Sequence, residues 1–257
     1  MNEPAIGANQ SISLPHIHHV ETLRPLRWLQ RGWEDVRHHP GASLGHGLLL
    51  TALGWIILLL TSTDADLLAA AVSGFLLVGP VVGAAFYELS RRRRARETTT
   101  FDTSLDAAMK GANSLALLGV ILAVLALAWA GVSRTLFDVV LDGSPLAITQ
   151  SALSTVFDAR NADFVLAYFG TGAIFAVAAF VVSVISAPMI FHRGTATSSA
   201  ILASAKAVAL NPTAMLVWAA LIAILTAIGF ATFLFGLIVI LPWIGHATWH
   251  AYRDIVD

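Results

Sequence analysis

The sequence predicts an all-α polytopic membrane protein. Six transmembrane helices form three pseudo-repeated helical hairpins, with amphipathic helices on the cytoplasmic side. Three observations carry this reading. Of the 257 residues, 57% are hydrophobic and 12% charged, half the roughly 25% charge of a soluble domain. Uncharged runs recur, among them Leu67–Tyr87 and Pro212–Gly245, each long enough to cross a ~30 Å hydrocarbon core. Five arginines, Arg91, Arg92, Arg93, Arg94 and Arg96, then stop the first of these runs. Each would cost roughly 2.5–3.5 kcal/mol at a bilayer centre, so the cluster sits in water or among head groups.

From the start, residues 1–21 read as a flexible cytoplasmic tail and 22–257 as a single integral membrane domain. The tail lacks the basic start and apolar core of a signal peptide. Its His16, His18 and His19 have no acidic or Cys partner and read as solvated rather than metal-binding. Leu23, Leu26, Trp28, Leu29, Trp33 and Val36 then recur at helical spacing among Arg24, Arg27, Arg31 and Arg37. That pattern suits an amphipathic helix on the membrane surface, with arginines towards lipid phosphates. A helix packed on the cytoplasmic ends of the spans is the competing reading. Pro40-Gly41 ends it.

Spans are expected near 43–61, 67–89, 114–133, 164–191, 213–230 and 232–250. Thr63–Asp66 is a short acidic loop between the first two. Ser90–Asn113 is a cytoplasmic loop holding an amphipathic piece, Ser104–Lys110. Arg134–Asp163 is a surface segment on the far side, and Thr197–Leu210 a third amphipathic piece. The uncharged run from Pro212 is too long for one crossing and turns between Gly229 and Gly236. This topology puts thirteen of the fifteen Lys and Arg residues inside and only Arg134 and Arg160 outside, with both termini cytoplasmic.

The even spans resemble one another near their cytoplasmic ends, where Pro80, Pro188 and Pro242 each precede the exit. A proline removes a backbone donor and bends a helix. Three equivalent kinks, with Gly79, Ala187 and Gly245 beside them, would draw these spans around a pseudo-threefold axis. Gly45, Gly47 and Gly54 also permit close helix approach.

Candidate chemistry is sparse. No span carries Asp, Glu, Lys or Arg near its middle, which weighs against an ion-coupled carrier. The ionisable residues at the cytoplasmic ends are His46, Glu88, His192, His246 and His250, and this polar cluster is the candidate site. His246 and His250, at i and i+4, share a helix face and suit either a metal or haem ligand pair or an interfacial anchor. With no cysteine, thiolate metal sites and Cys nucleophiles are excluded. No catalytic residue and no cofactor is read from the chain. The lipid bilayer is the expected partner, and nothing points to nucleic acid.

Four pieces carry a resemblance. They are Arg24-Pro-Leu-Arg-Trp-Leu-Gln-Arg-Gly-Trp-Glu-Asp35, Gly74-Phe-Leu-Leu-Val-Gly-Pro80, Tyr87-Glu-Leu-Ser-Arg91 and Gly245-His-Ala-Thr-Trp-His-Ala-Tyr-Arg-Asp254. Together they resemble a bacterial family of integral membrane proteins of unknown function, some of whose members are labelled cytochrome c oxidases. The resemblance implies the bacterial inner membrane and a link to respiration, and it transfers no catalytic residue. The only His-Pro, His39-Pro40, is followed by Gly41 and precedes the first span, unlike the ligand motif of an oxidase catalytic subunit. Three readings fit these residues: a non-enzymatic scaffold or accessory factor beside a partner such as a respiratory complex, a transporter or lipid-handling protein with a cytoplasm-facing cavity, or a haem- or metal-binding subunit.

Overall fold

A computed structural model of the chain describes residues 15–61, 82–140 and 162–256, with 68, 71, 74, 75 and 79 between them. Ten of the 23 residues of the second expected span, Pro80 among them, and residues 141–161 of the far-side segment lie outside the described residues. Most of the described residues are helical. In order the helices are α1 (Arg24–His38), α2 (Pro40–Thr61), α3 (Ala84–Ala95), α4 (Phe101–Val140), α5 (Ala162–Ser183), α6 (Ser186–Arg193), α7 (Thr197–Leu210), α8 (Pro212–Ala231) and α9 (Leu237–Ile255). Among the described residues, four segments are long and apolar enough to cross a membrane: Pro40–Thr61, Phe101–Leu136, Ala162–Arg193 and Pro212–Ala231. Leu237–Ile255, which ends in Arg253 and Asp254, is not among them.

Burial is concentrated at one end of the bundle, called here the polar end. There α1 lies across α9. Trp28, Leu29, Gly32, Asp35 and Val36 form its buried stripe, whereas Leu23, Leu26 and Trp33 remain exposed. A Cβ on Gly32 would lie 2.7 Å from the Ala247 backbone nitrogen, so the crossing needs a residue without a side chain. Trp28 meets Trp218 of α8 edge-on at 5.9 Å, and the Trp243 indole of α9 donates to the Leu29 carbonyl at 2.7 Å. This is the competing arrangement for α1, a helix packed on the ends of the spans. Residues 15–20, expected within a flexible tail, are pinned too. Ile17 pairs with Val256, and Val20 N–H donates to Asn211 Oδ1 at 2.8 Å. Both are backbone bonds that a solvated tail would give to water.

The expected loop Ser90–Asn113 is shorter than its sequence suggested. Its amphipathic piece and the third span form one helix, α4, of 40 residues. The start is fixed by Thr100 and Thr103. Thr103 N–H donates to Thr100 Oγ1 at 3.3 Å and Thr100 N–H to Thr103 Oγ1 at 2.9 Å, a reciprocal pairing like a capping box. No proline lies between Phe101 and Val140, so the helix runs on through Gly111. Leu115, Leu118 and Leu122 then line its buried face.

The prolines behave differently from one another. Before Pro188 the chain breaks at Val184-Ile185, between α5 and α6. Ser204 of α7 fills the gap, accepting from Ile185 N–H at 3.2 Å and donating to the Val181 carbonyl at 2.6 Å. Pro242 sits inside the continuous helix α9. Its missing N–H leaves the Ile238 carbonyl without its usual helical donor, and Gly47 of α2 packs there. A Cβ on Gly47 would lie 2.0 Å from that oxygen.

The turn expected between Gly229 and Gly236 is found at Thr232–Gly236, between α8 and α9. Phe233 and Leu234 adopt left-handed φ of 53° and 68°. Thr232 Oγ1 closes the turn by accepting from Gly236 N–H at 2.8 Å. The turn lies against the middle of α2: Trp55 meets Phe235 at 5.8 Å, and a Cβ on Gly54 would lie 3.7 Å from Leu234. From Trp55, α2 continues six residues to Thr61, about 9 Å further.

A buried polar network as candidate functional site

Asp35 occupies the buried stripe of α1 and is 2% exposed. A carboxylate there must be paired or protonated. It is paired from three directions. Ser90 Oγ of α3 donates to Oδ2 at 2.5 Å, His250 Nε2 of α9 lies 2.9 Å from the same oxygen, and Arg93 of α3 forms an ion pair with Oδ1. Burial pushes the Asp35 carboxyl up, but the hydrogen bond and charge of His250, with the hydrogen bond from Ser90, outweigh it. They hold the group at about 2.

The network continues inward. Ser90 Oγ lies 2.7 Å from His246 Nδ1, and Ser43 Oγ of α2 lies 3.0 Å from His246 Nε2. The proton count assigns the tautomer. Ser90 has one proton, and Asp35 can only accept it, so Ser90 accepts from His246 Nδ1–H. Neutral His246 then accepts from Ser43 at Nε2. The chain Ser43–His246–Ser90–Asp35 ties α2, α9, α3 and α1 together. Ser43 and His246 are both 0% exposed, so no substrate reaches the hydroxyl, and the arrangement is not a nucleophilic triad. It can lock helices and pass protons internally.

The expected cluster divides. His246 and His250 do converge, both on Asp35. His46 lies apart: its Nε2 is 2.8 Å from Ser104 Oγ, and its ring stacks on Phe101 at 4.3 Å. Ser104 gives its own proton to backbone carbonyls of Thr100 and Phe101, so His46 is the donor in that pair. Phe86 stands edge-on between His46 and His246, at 5.9 and 5.6 Å. Glu88 is held by its own helix, with Arg91 at 2.8 and 2.9 Å and Arg92 at 2.5 Å. His192 lies 2.9 Å from the Tyr252 hydroxyl, edge-on to Trp249. Among the described residues no three His, Asp or Glu side chains are placed to hold a metal ion.

The arginines divide as well. Arg24 and Arg31 turn to Asp254 of α9 at 2.7 and 3.2 Å, where Trp28 Nε1 also donates at 2.9 Å. Burial raises the Asp254 carboxyl, but Arg24, Trp28 and Arg31 together hold it below its usual range. Arg27, Arg94 and Arg96 make no ion pair among the described residues.

Asp35, Ser43, Ser90 and Asp254 were not among the expected site residues, and Arg93 was expected only as part of the arginine cluster that sets the topology. One signal was present for Asp35. It follows Trp28 by seven residues and Gly32 by three, placing a charge on the packed face of an amphipathic helix.

Residues 67–192, 126 of the 257, match a family described as predicted integral membrane protein (DUF2189). That match bears out the resemblance to a family of membrane proteins of unknown function. It covers α3 to α6 but neither α1 nor α9, which supply Asp35, His246 and His250. Neither curated proteins nor solved structures give a match.

Proposed function

From the premise that this chain is an integral membrane protein carrying that family's segment, we propose a non-enzymatic scaffold or accessory factor of a bacterial inner membrane. Its partner is another membrane protein, with a respiratory complex as the class to test first. One observation carries this reading. The acidic groups packed into the polar end, Asp35, Glu88 and Asp254, are all paired internally: Asp35 and Asp254 fasten helices to one another, and Glu88 is closed by Arg91 and Arg92 of its own helix.

The topology we propose keeps both termini and Arg91–Arg96 cytoplasmic, with the polar end facing inward. The expected second span supplies one crossing beside α2, α4 and α5–α6. The last hairpin differs from the expected pair of full spans. Its turn stops about 9 Å of helix short of the end of α2, carries no charge, and leaves Phe233 77% and Phe235 63% exposed. We read α8–α9 as a re-entrant hairpin whose apex rests among acyl chains, which still leaves both termini on one side. The triple repeat is retained only as a repeat of paired segments.

Crosslinking in native membranes, followed by purification under mild detergent, tests the scaffold reading. A membrane partner recovered at fixed stoichiometry, and lost when the pairing of Asp35 is broken, is expected. A Soret band in the purified protein would replace this reading by the haem one. The hairpin has its own test, because the chain lacks cysteine. A single cysteine at Phe235 should resist impermeant maleimide from both sides, whereas one at Thr63 should react from outside.

A further inference from the structure

We propose that a cleft at the polar end binds a phosphate-type oxyanion. This goes beyond the scaffold reading and does not rest on it. The cleft has a volume of about 570 Å³. Its walls come from three places in the chain: His38 and His39 at the end of α1, Arg93 and Arg96 at the end of α3, and Glu97, Thr98 and Thr99 leading into α4.

The charge in this cleft is not cancelled by its own acid. Glu97 turns to Arg91 at 3.3 Å and Arg92 at 3.8 Å. Arg93 is paired with Asp35 through one nitrogen, and a guanidinium has five N–H donors, so others stay free for a ligand. Arg96 makes no ion pair among the described residues. Its backbone is fixed in the left-handed region at φ 56°, with its N–H on the Arg92 and Arg93 carbonyls. The base of the side chain is therefore positioned, while its guanidinium is uncommitted.

Two further atoms in the wall lack partners. His39 Nε2 and Thr99 Oγ1 are buried without a hydrogen bond. A buried polar atom without a partner is destabilising, and a ligand that supplies one relieves it. Two arginines one helical turn apart, a threonine hydroxyl and an imidazole suit a ligand with several acceptor oxygens and more than one negative charge. That is a phosphate monoester. A cation is repelled, and a single carboxylate leaves donors unused. Arginines stopping a membrane run lie at the level of head groups, so a lipid headgroup and a soluble phosphate compound are the two sources of the same chemistry.

Full-length protein in non-ionic detergent tests this. The probes are inorganic phosphate, short-chain phosphatidic acid and short-chain phosphatidylcholine, at matched ionic strength, with binding read by thermal shift and native mass spectrometry. Arg96→Gln and Thr99→Val alter the cleft. Arg94→Gln removes the same charge from an exposed neighbour that does not line it. Wild type and Arg94→Gln should bind phosphatidic acid alike, with Arg96→Gln weaker by about tenfold and Thr99→Val weaker by a smaller factor. Competition by inorganic phosphate assigns the site to the phosphate group itself, and binding of phosphatidic acid without that competition assigns it to a lipid. Equal weakening by Arg94→Gln and Arg96→Gln would reduce the cleft to diffuse surface charge and overturn the proposal, as would the absence of binding in all forms.

Discussion

At the polar end, four helices meet through Asp35, Ser90, His246 and Ser43, and the side chains involved are closed off from solvent. Towards the other end α2, α4 and α8 present apolar side chains outward. Leu53 and Ile56 of α2, Val124 and Leu127 of α4, and Ile224 and Ile228 of α8 are all exposed. A soluble protein would not present apolar faces of that extent. In a bilayer they meet lipid tails, which are as apolar as the side chains, so no hydrophobic force drives the helices together there. Specific polar pairing and close backbone approach must hold the bundle, and the buried polar pairing is concentrated at the polar end. Changes there should cost stability, and equivalent changes in the apolar half should not.

The largest effect is expected from Asp35→Asn. The amide accepts less strongly and leaves Arg93 and His250 facing a neutral group. Removing one partner of a buried pair costs about 3–5 kcal/mol, and the lower figure applies because Arg93 is partly exposed. Denaturation of the variant in mild detergent should show a loss near 3 kcal/mol. Asp254→Asn, whose partners Arg24 and Arg31 reach solvent, should lose less. If the two variants are equal, the buried network is no more important than a surface ion pair.

Acid should show the same asymmetry. The folded state holds the Asp35 carboxyl at about 2, below its ordinary 3.8. Its contribution is therefore fully present above about pH 4 and lost as pH falls towards 2, worth about 2 kcal/mol in all. Stability measured over this window should fall, and it should fall less steeply in Asp35→Asn. Identical slopes would show that Asp35 is not the group responsible.

Local interactions were legible in the sequence, and distant ones were not. Apolar length and charge placement needed no tertiary knowledge, so α2, α5–α6 and α8 were expected close to where they lie, and the family match supports the membrane class. The start of α4 was missed because two threonines three residues apart act as a cap only in the helical conformation. Asp35 was missed for the opposite reason. Its partners Ser90 and His250 are 55 and 215 residues away, and no spacing rule reaches that far. The i, i+4 spacing of His246 and His250 was visible, but its partner, an acid on α1, was not. That partner turns a possible ligand pair into half of a lock.

The next effect in size comes from glycines. Gly47→Ala places a methyl carbon where the Ile238 carbonyl oxygen now lies, 2.0 Å away. The oxygen is backbone, so α2 and α9 must separate, at a cost of roughly 1–3 kcal/mol. Crosslinking efficiency between cysteines placed at Ser43 and Ala247 should fall in the variant. Unchanged stability and crosslinking would mean that α9 is free to shift along α2, which the pairing of Ser43 with His246 does not permit.

The smallest effect separates the two regions most cleanly. Gly131 lies in the apolar half of α4, and a Cβ there would meet nothing within 4 Å. Alanine has the higher helix propensity, by up to about 1 kcal/mol in water. In a bilayer the gain is smaller, because the helical backbone is already the only satisfied conformation. Gly131→Ala should therefore be neutral or slightly stabilising, while Gly47→Ala in the same host is destabilising. The pair uses one chemical change at two positions, so propensity and side-chain entropy cancel and only the neighbours differ. A destabilised Gly131→Ala would place another surface against that part of α4, a second copy or a partner protein. The apolar half would then be an interface as well as a lipid boundary. Measuring the same variant at several protein-to-detergent ratios distinguishes these, since an interface between copies makes the loss depend on protein concentration and a lipid-facing position does not.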